Sequence, residues 1–411
     1  MPAGMLIVGA GECGARAALT LRDQNYDGPV TLVGDESHFP YERPPLSKDA
    51  IVSEREPLPK FVGDRQHFID RKIECVTSTR AIAIDRASRS VALANGSTLR
   101  YDKLLLATGA APRRLSLPGA EGSRCAYLRT YDDALRVRRA LGSGCHVAIL
   151  GGGFIGLELA ASARKRGAVV TVIEALPRIL TRGVPEEIAR VIDARHRAED
   201  VEIACGRSVL TLREDSTGIE VGLSDGSSVT ADLLIIGIGA VPVTDLAQGA
   251  GLAMENGIAV DEQLQTSDLD IYAAGDCCSF PLAIYGSRRV RLECWRNAQD
   301  QGVLAARNML GAGEKVSAVP WFWSDQYDLT LQIAGLPDGG TRIVRRDVSD
   351  GAFILFHLQD DGRLMAASGI GSGNVVAKDI RLAEMLIAKR AMPEPAALAQ
   401  PQVKLKSLLA A

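Results

Sequence analysis

Two glycine-rich turns are the segments of this chain whose residue types and spacing most directly indicate chemistry. The spacing G-x-G-x-x-G occurs at Gly9, Gly11 and Gly14 and again at Gly151, Gly153 and Gly156. In such a turn the first glycine permits the tight bend, the second lets the backbone approach a pyrophosphate, and the third lets a helix pack against a strand. The pyrophosphate lies at the positive N-terminal end of that helix. The two turns, here called the first and second fingerprints, therefore predict two dinucleotide sites.

An acidic residue follows each fingerprint at the distance where an adenosine ribose needs a hydrogen-bond acceptor. Asp35 and Glu36 end one apolar run, and Glu174 ends another. A carboxylate accepts hydrogen bonds from the ribose diol but repels a 2′-phosphate, by roughly 1 to 4 kcal/mol at about 4 Å. Glu174 therefore favours NADH over NADPH at the second fingerprint, although Arg178 partly offsets this repulsion.

Each fingerprint lies between an apolar run and a helical pattern, at residues 5–22 and 146–161. Two further apolar runs, 101–110 and 231–239, resemble each other, which indicates that one nucleotide-binding fold is used twice. A later run ends at Asp276, which either binds a ribityl or ribose hydroxyl where strand ends converge or caps the next helix. We predict the α/β fold class with two Rossmann-like, glutathione reductase-type domains.

The bulk composition excludes several classes of protein. With 411 residues the chain is long enough for two or three domains. A formal net charge of -3 gives no global reason to bind nucleic acid or an anionic membrane. No run approaches the roughly 20 apolar residues of a membrane helix. The strand predicted from Met5 leaves no room for a cleavable leader, so we expect a cytoplasmic protein. The eight cysteines lack C-x-x-C or Cys/His spacing, which predicts neither disulfides nor a metal site.

The first fingerprint, the run 101–110 and the Gly275-Asp276 turn resemble the FAD-dependent pyridine nucleotide-disulfide oxidoreductase superfamily. The sequence Arg-Pro-Pro-Leu-Ser-Lys at 43–48 stands where thiol-dependent members carry a redox cysteine, and it contains none. This stretch and the Trp-rich segment 320–327 resemble the NADH-dependent ferredoxin reductases that serve bacterial cytochrome P450s and Rieske oxygenases. The resemblance implies FAD at the first fingerprint, NADH at the second, and a [2Fe-2S] ferredoxin as the electron acceptor.

The resemblance also implies which residues form the two sites. The positions that match FAD contacts, besides the first fingerprint, are Cys13, Asp35, Arg43, Lys48, Ala81, Arg129, Asp276 and Trp295. The NADH site is matched by Glu174 and by the second fingerprint, including Phe154 and Ile155. Cys13 and Ala81 are expected to contribute backbone or van der Waals contacts. Trp295 stands where some members have a smaller aliphatic residue. Trp321 and Trp323 either reach the flavin or belong to an interdomain core.

Lys48 and Glu158 are the candidate catalytic residues. A flavin couples a two-electron donor to one-electron acceptors, and the protein supplies orientation and electrostatics. We expect Lys48 to lie near the flavin N5, where a fixed positive charge favours the reduced form. Glu158 is the expected partner of Lys48 or of the nicotinamide carboxamide. The alternatives are a solvated lysine and an ordinary carboxylate beside a helix dipole.

The electron acceptor is expected to be acidic, and a cluster of arginines is a candidate surface for steering it. The cluster comprises Arg288, Arg289, Arg291 and Arg296. The alternative is that these arginines are solvated or pair with cofactor phosphates. We expect the protein to be a monomer or a weak homodimer, without nucleic-acid or membrane partners.

Four segments describe the predicted domain organisation. An FAD-binding domain comprises 1–112 and 241–319, an NADH-binding domain lies at 113–240, and a small α+β C-terminal domain follows at 320–411. Helical patterns are predicted at 121–141, at 185–198 as an exposed charged helix, and at 297–309 and 376–391. Antiparallel flaps are predicted at 82–99 and 206–230. The residues after Met392 are either a docking tail or a frayed end.

Three other functions are compatible with the same fold. An NADH oxidase or a peroxide or disulfide reductase needs a cysteine near Lys48, and the absence of one argues against it. A monodehydroascorbate-type reductase also lacks that cysteine and stays an alternative. From a different class, the chain could be a redox sensor that binds FAD and NADH without turnover.

Overall fold

The computed structural model describes residues 3–409, and the chain divides into two compact units. The first unit is formed by Met1–Arg43, Pro59–Ala111 and Val241–Ala318. The second unit is formed by Pro44–Leu58, Pro112–Ala240 and Val319–Ala411. Two of the passages from one unit to the other lie in the short strands Ala110–Pro112 and Ala240–Pro242, and the others follow Arg43, Leu58 and Ala318. The segment Pro44–Leu58, which the sequence analysis assigned to the first part of the FAD-binding domain, belongs to the second unit.

The first unit is built on a five-stranded parallel sheet. Its strands, in spatial order, are Ile271–Ala273, Lys103–Leu106, Met5–Val8, Val30–Val33 and Glu74–Val76. The strand of the first fingerprint is central, and all four of its residues are buried. A continuous apolar run is expected for a parallel strand that is covered on both faces.

Helices and smaller sheets complete the first unit. The helix of the first fingerprint, Glu12–Asp23, approaches helix Trp295–Met309 so closely that a Cβ at Gly302 would lie 2.4 Å from the carbonyl oxygen of Cys13. The shorter helices are Arg65–Asp70 and Asp245–Gly249. The predicted flap is an antiparallel sheet of Ala81–Asp85, Ser90–Leu93 and Thr98–Arg100. A second small sheet contains Ile258–Ala259, Cys278–Leu282 and Arg288–Val290.

The second unit repeats the parallel sheet. Its strands, in spatial order, are Cys125–Ala126, Leu233–Ile236, His146–Leu150, Val169–Glu174 and Val201–Cys205. The strand of the second fingerprint is again central, between the strand that ends in the acid and the later apolar strand. The predicted flap is present as Val209–Glu214, Ile219–Leu223 and Ser228–Ala231. The common strand order supports the duplication that the sequence indicates, and the α/β fold class is confirmed.

Helices and a second, antiparallel sheet complete the second unit. Helix Phe154–Lys165 follows the second fingerprint, and helices Tyr131–Ala140 and Glu186–Ala198 flank it in the chain. Pro44–Ser47 forms a 3-10 turn that leads into the short helix Asp49–Val52. The last part of the unit is an antiparallel sheet of Trp321–Gln326, Leu329–Gly335, Leu364–Ser372, Ala352–Leu358 and Arg342–Ser349, in that spatial order. Helix Ala377–Ala388 packs on this sheet, with a side-chain carbon of Ile380 close to Gly369.

Two predicted helices differ in the structure. The helix predicted at 121–141 spans only Tyr131–Ala140, because Cys125 and Ala126 join the parallel sheet beside Leu234 and Ile235 and Thr130 caps the helix. The charged helix predicted at 185–198 is present as Glu186–Ala198, but it is not exposed throughout. Its Ile188, Ile192 and His196 are buried.

The C-terminal residues fold back onto the second unit. They form the short helix Pro395–Ala399 and the 3-10 turn Leu405–Leu409. The buried guanidinium of Arg346 donates hydrogen bonds to carbonyl oxygens of this segment, at Leu398, Gln400, Pro401 and Val403. The segment is therefore neither frayed nor detached over the residues that the structure describes. Within residues 3–409, no helix is long and apolar enough to cross a membrane, and no group of three potential ligands is arranged to hold a metal ion.

Candidate functional site

The structure of the first fingerprint shows why glycine is needed at two of its three positions and what the third leaves open. Gly9 has a positive φ of 115°, and a Cβ there would lie 2.1 Å from the carbonyl oxygen of Ala107. A Cβ at Gly14 would lie 1.9 Å from the carbonyl oxygen of Gly9. A Cβ at Gly11, in contrast, would meet no atom within 4 Å. Packing within the protein therefore requires glycine at two positions, whereas the open space at Gly11 is available to a ligand.

The second fingerprint repeats this arrangement. Gly151 has a φ of 110° and approaches the carbonyl oxygen of Gly237, and a Cβ at Gly156 would lie 2.1 Å from the carbonyl oxygen of Gly151. A Cβ at Gly153 would meet nothing within 4 Å. Gly11 and Gly153 are also the N-cap residues of their helices, and neither helix has a side-chain cap. The amide groups of the first turns are therefore available to an anion, which fits the pyrophosphate of a dinucleotide.

The acids after the first fingerprint are in different environments. Asp35 is exposed, whereas Glu36 accepts a hydrogen bond of 2.7 Å from Arg43 and another from the hydroxyl of Tyr41. Burial opposes the charge of Arg43, but Tyr41 and Glu36 outweigh this effect and raise the pKa of the guanidinium above its ordinary value. Arg43 is thus a fixed cation paired with Glu36, next to the exposed carboxylate predicted to bind ribose.

The acid after the second fingerprint organises its own loop. Glu174 accepts hydrogen bonds from the amide groups of Gly152, at 2.7 Å, and Leu176, at 2.8 Å. These bonds hold the carboxylate against the glycine turn. Arg178 donates to the carbonyl oxygens of Ile179, Leu180 and Val184. Its guanidinium is therefore engaged in fixing the loop that follows Glu174.

Other predicted FAD contacts in the first unit lie near the first fingerprint helix or in the flap. Cys13 is buried in that helix, and a Cβ at Gly275 would lie 3.3 Å from its Cβ. Asp276 lies in the 3-10 turn Gly275–Cys277, so the fold brings this turn to the fingerprint helix. Burial raises the pKa of the Cys13 thiol well above its ordinary value, which keeps it protonated. Ala81 is buried at the start of the flap, and Trp295 begins the helix that packs on the fingerprint helix.

Gln301 is a residue near this turn that the sequence analysis did not identify. Its side-chain oxygen accepts a 2.7 Å hydrogen bond from the amide of Gly275, and the residue is almost fully buried. Gln301 thereby holds the turn that carries Asp276. The only signal in the sequence is a polar residue on the inner face of a helix, which does not identify its partner.

In the second unit, Lys48 and Glu158 form an ion pair. The ammonium nitrogen of Lys48 lies 2.7 Å from Oε2 of Glu158, which is the partnership considered for these residues. Glu158 also accepts hydrogen bonds from the hydroxyls of Ser47, at 2.6 Å, and Ser324, at 2.7 Å. The carboxylate is buried, whereas Lys48 retains about a quarter of its exposure. Both serines were missed, because nothing in their local sequence indicates what their hydroxyls contact.

The segment that carries Lys48 is held in place by buried polar contacts. Ser162 donates a 2.6 Å hydrogen bond to the carbonyl oxygen of Ser47. The buried Arg138 donates to the carbonyl oxygens of Ile51 and Ser53, at 2.8 and 2.5 Å. The position of the lysine is therefore set by helices Phe154–Lys165 and Tyr131–Ala140 rather than by the short turn alone.

The remaining predicted residues of the second unit are distributed around the second fingerprint helix and the C-terminal sheet. Arg129 is half-buried before helix Tyr131–Ala140, and its amide donates to Asp133. Phe154 packs on Phe322 with ring centroids 4.4 Å apart, while Ile155 is exposed. Trp323 stacks on Trp321 at 5.4 Å, and its indole donates to Asp325.

The arginine cluster of the first unit contains local ion pairs. Arg289 pairs with Glu255, Arg291 with Glu293, and Arg296 with Asp300. Arg288 is exposed. These pairs reduce the positive field expected from the sequence, so steering of an acidic partner by this cluster stays a hypothesis.

Comparisons with known proteins identify two families along the chain. Residues 4–302 match the family described as pyridine nucleotide-disulphide oxidoreductase, and residues 321–409 match the family described as reductase C-terminal. The chain is 41% identical over 405 residues to the ferredoxin–NAD(+) reductase component of an anthranilate 1,2-dioxygenase system from Burkholderia cepacia, with 98% of each chain covered.

Solved structures show the same relationship. The ferredoxin reductase of the CYP199A2 system from Rhodopseudomonas palustris is 35% identical, with a TM-score of 0.93 and 99% of each chain covered. The reductase in a covalent putidaredoxin reductase–putidaredoxin complex is 34% identical, with a TM-score of 0.92 and coverage of 99% of this chain and 98% of that chain. FAD and NADH are the cofactors of such reductases, in agreement with the two fingerprints. The chain belongs to the pyridine nucleotide-disulphide oxidoreductase family and carries its reductase C-terminal domain.

Proposed function

We propose that this protein is an FAD-dependent NADH:ferredoxin oxidoreductase. It passes electrons from NADH through FAD to a [2Fe-2S] ferredoxin, which supplies a cytochrome P450 or a Rieske oxygenase. The observation that carries the proposal is the Lys48–Glu158 ion pair, in a segment where thiol-dependent relatives have a redox cysteine. The relatives named as ferredoxin–NAD(+) reductase components support the same activity.

The residues present fit both cofactors. The open backbone at Gly11 and Gly153, at uncapped helix ends, suits two pyrophosphates. We assign FAD to the first fingerprint with Asp35, Arg43, Ala81 and Asp276, and NADH to the second with Glu174. Lys48, Arg129, Trp295 and Trp323 are further proposed FAD contacts, carried over from the resemblance. When bound, FAD accepts a hydride from NADH and releases electrons one at a time.

We assign Lys48 the role of a fixed positive charge, which favours negative charge at the site of electron transfer. Glu158 holds the ammonium group in one position, since a buried carboxylate with three donors has little freedom to rotate. An ion pair of this kind also prevents Lys48 from extending into solvent. The negative charge of Glu158 partly offsets the positive charge of Lys48, so the proposal concerns the pair and not the lysine alone.

The domain organisation proposed here has an FAD-binding domain at 1–112 and 241–319, an NADH-binding domain at 113–240 and a C-terminal domain from 320. Unit boundaries at residues 111, 240 and 318 support it, whereas Pro44–Leu58 departs from it by belonging to the second unit. We also propose a cytoplasmic location, which is supported by eight cysteines that are all free thiols. A monomer or weak homodimer stays the proposed assembly.

The activity is tested by measuring NADH oxidation by the holoenzyme with different acceptors. Cytochrome c is reduced with and without a [2Fe-2S] ferredoxin, and oxygen and ascorbyl radical are offered separately. We expect cytochrome c reduction to depend strongly on the ferredoxin. Oxygen or ascorbyl radical as the best acceptor would contradict the proposal and favour an oxidase or a monodehydroascorbate-type reductase.

The role of Lys48 is tested by stopped-flow reduction of the bound FAD by NADH. We expect Lys48→Ala to lower the reduction rate by about 10-fold or more, the order found when one preorganised electrostatic group is lost. Lys60→Ala is the control, because Lys60 is a largely exposed lysine that pairs with Glu42. An unchanged rate in Lys48→Ala would remove the lysine from the mechanism.

A further inference from the structure

A chain of buried polar side chains extends from Glu158 into the second unit. Ser324 donates a 2.7 Å hydrogen bond to Oε1 of Glu158. The side-chain amide of Gln326 donates to the hydroxyl oxygen of Ser324 at 3.1 Å. The side-chain oxygen of Gln326 lies 2.8 Å from Nε2 of His196. Ser324, Gln326 and His196 are each no more than 3% exposed.

The direction of every hydrogen bond in this chain follows from its chemistry. Ser324 has one hydroxyl proton, and the carboxylate of Glu158 can only accept it. The hydroxyl oxygen of Ser324 then accepts from Nε2 of Gln326, which leaves Oε1 of Gln326 as an acceptor. His196 must therefore carry its proton on Nε2. All of the donors point toward Glu158.

The far end of the chain agrees with this direction. Burial lowers the pKa of His196, which favours the neutral imidazole. A neutral ring with its proton on Nε2 has an acceptor at Nδ1, and the hydroxyl of Tyr327 lies 3.4 Å from that atom. The Tyr327 ring packs edge-on against His196, and the guanidinium of Arg195 lies over the face of the Tyr327 ring. The imidazole is thereby held in one orientation.

The elements that carry the chain are fixed to each other near it. Arg195, next to His196 in helix Glu186–Ala198, pairs with Asp328 at 2.7 Å. Tyr327 and Asp328 form the two-residue turn between strands Trp321–Gln326 and Leu329–Gly335. The C-terminal sheet therefore presents Ser324 and Gln326 to the nucleotide-binding part of the same unit.

We propose that Ser324, Gln326 and His196 are positioning residues, which orient the carboxylate of Glu158 and through it the ammonium of Lys48 for electron transfer from NADH. The proposal rests on the proposed function. It assigns to the C-terminal sheet a part in the reaction of NADH, because Ser324 of that sheet donates to a carboxylate of the second fingerprint helix and Gln326 donates to Ser324.

The first test is stopped-flow reduction of the FAD in holoenzyme variants, which needs no ferredoxin. Ser324→Ala removes the donor to Glu158, and we expect the limiting reduction rate to fall about 10-fold with little change in the Kd of NADH. Ser324→Thr restores the hydroxyl and should recover most of the rate. Gln326→Glu keeps the shape of the side chain but replaces its donor by a carboxylate oxygen, to which Ser324 can donate instead of to Glu158. This variant should therefore slow reduction as Ser324→Ala does.

A matched control separates positioning from stability. Ser368 lies in the same C-terminal sheet, is fully buried and contacts the buried His357 at 3.1 Å. Ser368→Ala therefore removes a buried hydroxyl of the same sheet whose hydrogen bond, to His357, does not lead to Glu158. We expect it to lower stability without changing the reduction rate. Equal slowing in Ser368→Ala and Ser324→Ala would overturn the proposal, as would a wild-type rate in Ser324→Ala.

The second test does not depend on activity. Nitrogen NMR of histidine-labelled holoenzyme distinguishes an imidazole protonated at Nε2 from one protonated at Nδ1. We expect the Nε2–H form of His196 at neutral pH, identified by loss of its signal in His196→Gln. The Nδ1–H form would reverse the hydrogen-bond directions and overturn the proposal. Failure of ferredoxin to accept electrons, with these results otherwise as expected, would contradict the proposed function alone.

Discussion

The paired fingerprints allow nucleotide binding to be separated from folding by two alanine substitutions in one turn. Gly153 has φ −84° and ψ −179°, which alanine adopts readily, and an added Cβ would meet no atom within 4 Å. Alanine restricts the unfolded chain, which stabilises by about 0.4–1 kcal/mol, but it is a poorer N-cap than glycine. These effects oppose each other, so we expect Gly153→Ala to change the free energy of unfolding by less than about 1 kcal/mol.

The same methyl group would occupy the space proposed for the NADH pyrophosphate. Loss of one hydrogen bond to a charged oxygen costs about 1.5–3 kcal/mol. That cost corresponds to a rise in the Kd of NADH of roughly 10- to 150-fold. Gly156→Ala is the contrasting variant, since its Cβ would lie 2.1 Å from the carbonyl oxygen of Gly151. The helix would have to move away from the strand, which costs about 1–3 kcal/mol of stability.

Urea unfolding measures the stability of both variants, and stopped-flow reduction at increasing NADH concentration measures the Kd. The FAD content of each variant is the internal control, because FAD is assigned to the other fingerprint. A wild-type Kd in Gly153→Ala would refute the placement of the pyrophosphate at this turn. A loss of stability in Gly153→Ala as large as that in Gly156→Ala would refute the distinction between the two glycines.

Three further predictions concern other parts of the second unit. Arg346→Met leaves the carbonyl oxygens of the C-terminal segment without their donor and breaks the pair with Asp379. We expect the free energy of unfolding, measured in urea, to fall by about 3 kcal/mol or more, and the chain after residue 392 to be cleaved rapidly by proteases. The control variant Arg342→Met, at an exposed position of the same strand, should show neither effect. Burial lowers the pKa of His357 from 6.5 to about 4, so the unfolded chain binds this proton first and stability falls as the pH drops through this range. Because of this group, the free energy of unfolding should be lower at pH 5 than at pH 7 by about 2 kcal/mol. His357→Leu should remove this difference. If the variant kept the same pH profile as the wild type, the assignment to His357 would be contradicted. Glu174→Ala should weaken the preference for NADH over NADPH by about 5-fold or more, whereas Glu202→Ala on the next strand should not; equal effects of both would refute the role of Glu174.

The nucleotide-binding halves of the fold could be predicted from the sequence because their signals are local. A fingerprint is a strand, a turn and a helix within about 30 residues, and its glycines report close backbone approach within that span. The close backbone approach expected at Gly9, Gly14, Gly151 and Gly156 is present in the structure, while their part in nucleotide binding stays a prediction. The helix predicted at 121–141 was wrong over its first ten residues, because Cys125 and Ala126 pair with a strand more than 100 residues later.

The sequence by itself determined the α/β class, the two fingerprints and the family resemblance, and it indicated Lys48 and Glu158 as candidates. Only the tertiary structure decided that Ser47 and Ser324 donate to Glu158 and that Gln326 and His196 continue the chain. Serine and glutamine side chains satisfy their hydrogen bonds with whatever the fold brings within reach, so their partners leave no periodic pattern in the sequence. A strand from the C-terminal sheet and a helix about 130 residues earlier meet at these side chains, and that meeting is a property of packing rather than of local spacing.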